Sequence, residues 1–482
     1  LKRLNLNTTP FIVGGGIFIY LFLRTFVVPI TTDEYLTLRY FVERDWGAVF
    51  ASYHPDPVHA SNNHVLNSIF VKLSVSIFGE HDWAIRLHVL AAFVVCYYYL
   101  LKLFKQLEVP PMRSAMYLVL VFLNPYLLDF FGIARGYALS MAGWSAATYY
   151  FILYRNEASL RNLRNLLVWL FLAVYANFSA MYFALLFGLA LLSCLYQNKK
   201  EPFVKKHLLL IGFACVVAAA ITYQPLYRTL HAKSTHGGTT GFFTDTIVSY
   251  VLSSIHYNPH VRASGVFAFG LRYRELYGVL LLVAWATAVA CGFKKIKPRL
   301  LTIALQSLVY QGVGVALICV VLFHSLQVPY PLTRTTLLFS LPFVVSFLVA
   351  MEVLVRQNDR LRYFLLAATV AATLHFMVCC NLDNTKEWEA EGDAKRVLRY
   401  LQTVRKDGRL IHIGVENFRY PSLAFYDRYK YKGIIDVEWL NPAMRPEFEY
   451  LYVPGDDIKN YEPIYKVEEN FGHGVLLKRL SL

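Results

Sequence analysis

The sequence predicts an α-helical polytopic membrane protein of about eleven transmembrane helices, carrying a small C-terminal α/β domain outside the membrane. Three observations carry this reading. Of 482 residues, 56% are hydrophobic and only 16% are charged, whereas an ordinary soluble domain carries about 25% charge. The apolar residues gather in runs of about 20, the length of helix that crosses a ~30 Å hydrocarbon core. The charge is also unevenly placed. Residues 381–482 hold 16 basic and 17 acidic side chains, so the net +15 comes from the first 380, with 31 basic against 15 acidic.

Taken in order, the runs fall at 11–30, 83–103, 114–133, 136–154, 166–177, 181–197, 208–227, 274–293, 301–323, 335–354 and 363–380. The first is long and passes into Thr31-Thr32-Asp33-Glu34 with no small-residue cleavage site, so it reads as an uncleaved span. Between the fifth and sixth, Tyr175-Ala176-Asn177-Phe178-Ser179 leaves almost no loop. That pair reads as two spans or as one re-entrant segment, with the same parity afterwards. Basic residues cluster in short loops, at Lys2/Arg3, Lys102/Lys105/Arg113, Arg155/Arg161/Arg164, Lys199/Lys200/Lys205/Lys206, Lys294/Lys295/Lys297/Arg299 and Arg356/Arg360/Arg362. A cytoplasmic N-terminus puts every cluster on the cytoplasmic side, as the positive-inside rule requires. The net charge then needs no nucleic-acid partner.

This topology divides the chain into a transmembrane domain at 1–380, with outer loops 31–82 and 228–273, and an extracytoplasmic α/β domain at 381–482. Within the latter, helical spacing runs from Asp393 to Arg405 and a helix is expected from Pro421 to Tyr429. Strands are expected at Leu410–Val415, Gly433–Glu438, Tyr450–Val453, Tyr465–Glu468 and Val475–Lys478. All seven cysteines lie in or beside apolar runs, so they read as packing residues and no disulfide framework or zinc spacing is visible. The substantial non-membrane mass faces outward, and the chemistry is expected there.

Candidate residues follow from charge placed where it is costly. Asp33 and Glu34 begin the first outer loop. Thr31-x-x-Glu34 is also a capping-box pattern, and adjacent helical positions point ~100° apart, so Asp33 is the candidate base and Glu34 either a second catalytic carboxylate or a cap. The same loop continues His54-Pro55-Asp56-Pro57-Val58-His59-Ala60-Ser61-Asn62-Asn63-His64. His54, Asn62, Asn63 and His64 are candidates to face a substrate, and the histidines leave a divalent metal open. Four further histidines, His231, His236, His256 and His260, widen that possibility without specifying it, and Gly237-Gly238-Thr239-Thr240-Gly241 beside Phe242 and Phe243 reads as a mobile cover or an ordinary loop. Asp129 and Arg135 sit at the turn between the third and fourth runs, where they either pair with each other or serve a ligand. Arg334 begins the tenth run from the outer side. A guanidinium suits a phosphate because its planar fork stays charged and bonds in pairs.

Thr32-Asp33-Glu34-Tyr35, Asn62-Asn63-His64-Val65-Leu66-Asn67-Ser68, Phe78-Gly79-Glu80 with Arg86-Leu87, Leu128-Asp129-Phe130-Phe131 with Ala134-Arg135-Gly136-Tyr137, and Pro329-Tyr330-Pro331 with Arg334-Thr335 together resemble bacterial membrane glycosyltransferases of the GT-C superfamily. The likeness is to the relatives of protein O-mannosyltransferases and lipid A aminoarabinose transferases, and it covers most of residues 1–380. The resemblance implies a GT-C-like fold in the cytoplasmic membrane. It implies transfer of a sugar from a polyprenyl-phosphate donor to an acceptor hydroxyl of a glycan, lipid or protein on the outer face, usually with inversion. By position, Asp33 resembles the catalytic carboxylate with Glu34 beside it, Arg135 and Arg334 are the candidates for the donor phosphate, and Asp129 and Tyr137 are placed to face substrate. In the first loop, Ser61-Asn62-Asn63-His64 replaces the family's proline-rich pattern. A transporter or flippase of lipid-linked glycans is the alternative; such proteins carry their sites near the bilayer midplane, whereas the ionisable residues here gather at one face.

Overall fold

The computed structural model describes residues 8–54, 62–231, 237–257, 274–295, 298–405, 408–440 and 448–480. Asp56, His59, His236 and His260 lie outside them. Among the described residues, eight helices are long and apolar enough to cross a membrane: Thr9–Val27, Asp82–Gln106, Phe178–Gln197, Phe203–His231, Arg274–Lys294, Arg299–Leu326, Thr333–Gln357 and Leu361–Cys379. A ninth arises if Pro111–Phe122 and Pro125–Gly132, which meet at 79°, form one broken span. The break follows from local chemistry. Pro125 lacks an N–H for the preceding turn, and the Asn124 side chain accepts from Tyr126 N (3.0 Å) and Leu127 N (3.3 Å) to start the second arm afresh.

The two remaining expected spans are helical, at Gly136–Asn156 and Leu160–Ala176, but fall short in apolarity or length. Leu160–Ala176 has 17 residues, about 25 Å at 1.5 Å per residue. Gly136–Asn156 is buried along nearly its whole length, including Ser140, Ser145 and Thr148. A helix walled by protein has no need to be apolar all round. Its small residues allow close approach: a Cβ on Gly143 would lie 2.8 Å from that of Ala173. Trp144 and Thr148 share the Gln311 carbonyl oxygen at 2.8 and 3.2 Å, tying this helix to Arg299–Leu326. Helices Phe203–His231 and Leu361–Cys379 instead present exposed Leu209, Phe213, Val216, Phe364, Leu374 and Met377. Near the basic clusters, buried Glu352 accepts from Arg113, Tyr117 and Arg356 at 2.8–3.0 Å.

The C-terminal segment folds as anticipated. Helices Ala394–Val404 and Tyr420–Tyr426 pack beside a five-stranded sheet of β1 (Ile411–Val415), β2 (Ile435–Trp439), β3 (Tyr450–Val453), β4 (Tyr465–Asn470) and β5 (Val475–Arg479). The order is β2-β1-β3-β5-β4, with β2, β1 and β3 parallel and β3, β5 and β4 antiparallel. Its core is continuous with the membrane unit. Val397, Leu398, Leu401, Ile413 and Tyr426 share one apolar cluster with Ile30, Leu38, Val42, Val71, Ile85 and Ala134. Buried Tyr426 fixes this seam, donating to Asp82 Oδ2 (2.9 Å) and accepting from Ile30 N (2.8 Å).

Candidate active site

The site begins where the first helix ends. Thr31 caps the six-residue helix Thr32–Thr37, with Thr31 N donating to Glu34 Oε2 (2.9 Å) and Glu34 N to Thr31 Oγ1 (3.4 Å). This is the capping box that the spacing suggested. Glu34 does more than cap. Arg86 Nε and Nη2 grip its two oxygens at 2.8 and 2.6 Å, and Ala134 N donates to Oε1 at 2.6 Å. Both side chains of the pair are fully buried. The Arg86 guanidinium holds the Glu34 carboxyl below the usual carboxylate range despite its burial. Neither oxygen is left for a substrate, so of the two roles open to Glu34 the geometry fits the cap and anchor and not a second catalytic carboxylate.

Asp33 points elsewhere. Its Oδ2 lies 3.2 Å from Arg135 Nη2 and 3.1 Å from Arg334 Nη1, so three candidates separated by up to 301 positions meet at one oxygen. Both contacts are ionic only: Oδ2 is buried and receives no aligned hydrogen bond among the described residues. Arg135 Nε is likewise buried without a hydrogen-bond partner among the described residues. The cluster thus holds two cations against one carboxylate with hydrogen-bonding capacity unspent, which is costly in a folded protein unless a ligand uses it.

Local structure places each arginine. Arg135 is the extended residue before helix Gly136–Asn156, and its Nη1 donates to Asn62 O at 3.1 Å. Gly136 is required by close approach, because a Cβ there would meet Ala176 O at 1.9 Å and His64 Cβ at 2.8 Å. Arg334 lies in the 3-10 turn Thr333–Thr336. Thr333, at φ 47°, holds a left-handed conformation that is strained for a β-branched residue. Segment 237–257 braces that turn: Gly238 and Tyr330 exchange backbone hydrogen bonds of 2.9 and 2.8 Å, Thr246 Oγ1 donates to Pro331 O (2.8 Å), and Thr333 N donates to Ser249 Oγ (3.2 Å). The Arg334 guanidinium sits 5.3 Å from the Trp388 ring centre.

Of the remaining candidates, some join this centre and others do not. Asn62 Nδ2 donates to Asp33 O (3.3 Å). His64 Nδ1 donates to Ala176 O (3.2 Å), and its ring lies 5.3 Å from Tyr137. Burial first, and Arg135 second, push the His64 imidazole well below its ordinary value, so it is neutral. Tyr137 is buried within electrostatic reach of Arg334, Arg135 and Asp33. Asn63 is a correction: its amide donates to Val49 O and Ser52 Oγ (both 2.9 Å) and accepts from Ser68 (2.5 Å), so it ties the loop together instead of facing a substrate. Asp129 is another. It pairs with Arg24 at 2.6 Å, not with Arg135, and accepts from Tyr257 (2.7 Å) and Lys386 N (2.9 Å) inside the protein. His54 lies against Tyr40, rings 4.3 Å apart. The loop histidines form no metal-binding group among the described residues; the one convergent set there is His412, Asp436 and Glu438 on β1 and β2.

Sequence reasoning passed over the segment after the last span. Glu387 accepts from Tyr126 OH (2.5 Å) and, like Trp388, faces Arg334. Beyond the Thr333–Thr336 turn, Thr336 borders an apolar cavity of 230 Å³ lined by Phe242, Tyr250, Trp285, Phe339 and Phe343.

No family model matches the sequence, and no curated protein matches it. By shape the chain is similar to ArnT from Cupriavidus metallidurans in the apo state, at 13% identity and a TM-score of 0.41 over 98% of this chain and 97% of that one. It is also similar to ArnT from Cupriavidus metallidurans bound to undecaprenyl phosphate, at 10% identity and a TM-score of 0.43 over 98% of each chain.

Proposed function

We propose that this chain is a GT-C-type glycosyltransferase of the cytoplasmic membrane, with its N-terminus inside and its C-terminal domain outside. It transfers a hexosyl or pentosyl group from a polyprenyl-phosphate donor to an acceptor hydroxyl at the outer face, with inversion. The observation that carries this reading is Asp33 Oδ2, held between Arg135 and Arg334 without an aligned hydrogen bond among the described residues. A donor phosphate competes with Asp33 for the two guanidiniums, and once it takes them the carboxylate is free to receive a proton. The acceptor oxygen then bonds to the anomeric carbon as the bond from that carbon to the phosphate oxygen breaks. The electron pair leaves on the phosphate, where the arginines place fixed positive charge, and the acceptor's proton passes to Asp33. The apolar cavity beside Thr336 is positioned to take part of the polyprenyl chain.

Asp33→Asn keeps the shape and removes the base. With undecaprenyl-phosphate-linked hexoses and pentoses as radiolabelled donors, it should abolish label transfer while leaving the yield of folded protein near normal. Near-normal turnover by this variant would eliminate Asp33 as the base.

A further inference from the structure

The residue before the proposed base is held by a carboxylate from the other end of the chain. Thr32 N donates to Glu391 Oε2 at 2.7 Å, and Thr32 Oγ1 contacts Glu391 Oε1 at 2.5 Å. Glu391 lies 359 positions away, in the short turn Glu389–Glu391 just before helix Ala394–Val404. Its environment is unusual for a structural acid. It is 3% exposed, and among the described residues no lysine, arginine or histidine forms an ion pair with it. Asp33 and Glu34 lie close enough to repel its charge, and burial pushes its carboxyl well above the usual carboxylate range. A buried acid without a counter-cation is expensive, and the two hydrogen bonds from Thr32 are what favour its charged form.

The segment that carries Glu391 is anchored to the helical unit and reaches the site through Trp388. Arg24 donates to Asn384 O (2.7 Å), Lys386 N donates to Asp129 (2.9 Å), and Trp388 lies under Arg334. On the other side of Asp33, Arg86 grips Glu34. The turn bearing Asp33 is therefore clamped on both flanks, by Arg86 through Glu34 and by Glu391 through Thr32.

We infer that Glu391 is a positioning residue for the proposed transfer reaction: through Thr32 it fixes the Asp33 carboxylate against Arg135 and Arg334, which makes the segment following the last helix a working part of the active site. This rests on the transferase reading for its chemistry, but the hold on the turn is measurable without it.

The test uses the full chain in lipid nanodiscs, with Glu391→Ala, Glu391→Gln and Thr32→Val, and reads hydrogen exchange at residues 32–35 beside transfer from undecaprenyl-phosphate sugars. Misplacing a reacting group by about 1 Å costs up to about 100-fold, so Glu391→Ala should lower kcat by about tenfold to 100-fold while donor KM stays within about twofold. Exchange at 32–35 should rise in the same variant. Glu391→Gln, which keeps the size and an acceptor, should recover most of both, and adding Thr32→Val to Glu391→Ala should cost little more. Unchanged turnover and protection in Glu391→Ala would overturn the positioning role, as would equal losses in kcat and donor affinity that Gln does not rescue. If the unaltered protein transferred no sugar while Glu391→Ala still lost protection, the transferase reading would fall and the clamp would stand.

Discussion

At the scale of single residues, the account rests on three charged side chains at one point. Arg→Lys at 135 or 334 keeps the charge but loses the planar fork. Since a charged hydrogen bond is worth roughly 1.5–3 kcal/mol, each substitution should reduce donor use about tenfold or more, with a smaller effect on thermal stability; normal donor use by both variants would remove the arginines from the phosphate site. His64 supplies a pH dependence with a defined sign. Its folded value lies well below the ordinary one because it is buried beside Arg135, so below a pH of about 6.5 the unfolded chain binds a proton that the folded chain refuses. Stability is then insensitive to this group above that pH. It falls on acidification by up to about 1.4 kcal/mol per pH unit. In thermal melts between about pH 7.5 and 5.5, His64→Gln should remove that part of the acid loss, and an unchanged acid slope would show that the histidine titrates normally. Asp33, Arg135 and Arg334 were legible in the sequence because each is an ionisable group at the edge of an apolar run. Their partners were harder to read. Asp129 was left to pair with nearby Arg135 or to serve a ligand, yet Arg24 reaches it from the first helix, 105 positions away, and no local spacing encodes such a contact.

At the scale of elements, periodicity and charge predicted most of the architecture. Helices lie at the eleven apolar runs and strands at the five alternating segments among the described residues, and both were readable because apolar runs and turn residues mark them locally. Less legible were the 79° break at Asn124-Pro125, which lies inside an otherwise continuous run, and the burial of Gly136–Asn156, whose Ser, Thr and Tyr content becomes meaningful only once its neighbours are known. The contacts of Glu387 with Tyr126 and of Glu391 with Thr32 were invisible in the sequence because both acids fall in a charged stretch, where acids are ordinary. The start of Gly136–Asn156 offers a test at this scale. Gly136→Ala drives a methyl group into Ala176 O and His64, and the backbone carbonyl cannot rotate away. Overpacking of this kind costs about 1–3 kcal/mol, and the displacement moves Arg135 directly. We expect a lower melting temperature and a loss of transfer beyond what the stability change explains, whereas a variant with unaltered melting and turnover would show that the helix end is free to shift.

At the scale of the whole molecule, the two units expected from sequence are joined by a continuous apolar cluster and by the Tyr426 and Glu391 contacts. Arg135 and Arg334 meet Asp33 from two distant helix starts, segment 237–257 braces the turn that carries Arg334, and the segment after the last helix holds Thr32 beside Asp33. That convergence is what the transferase reading requires, because donor and acceptor must meet at one carboxylate. The most direct test is a cryo-electron microscopy structure of the full chain in nanodiscs with undecaprenyl phosphate. The account predicts the phosphate between Arg135 and Arg334, with Asp33 released from at least one of them and the first isoprene units beside Thr336. A phosphate bound elsewhere, with the Asp33–arginine cluster intact, would contradict it.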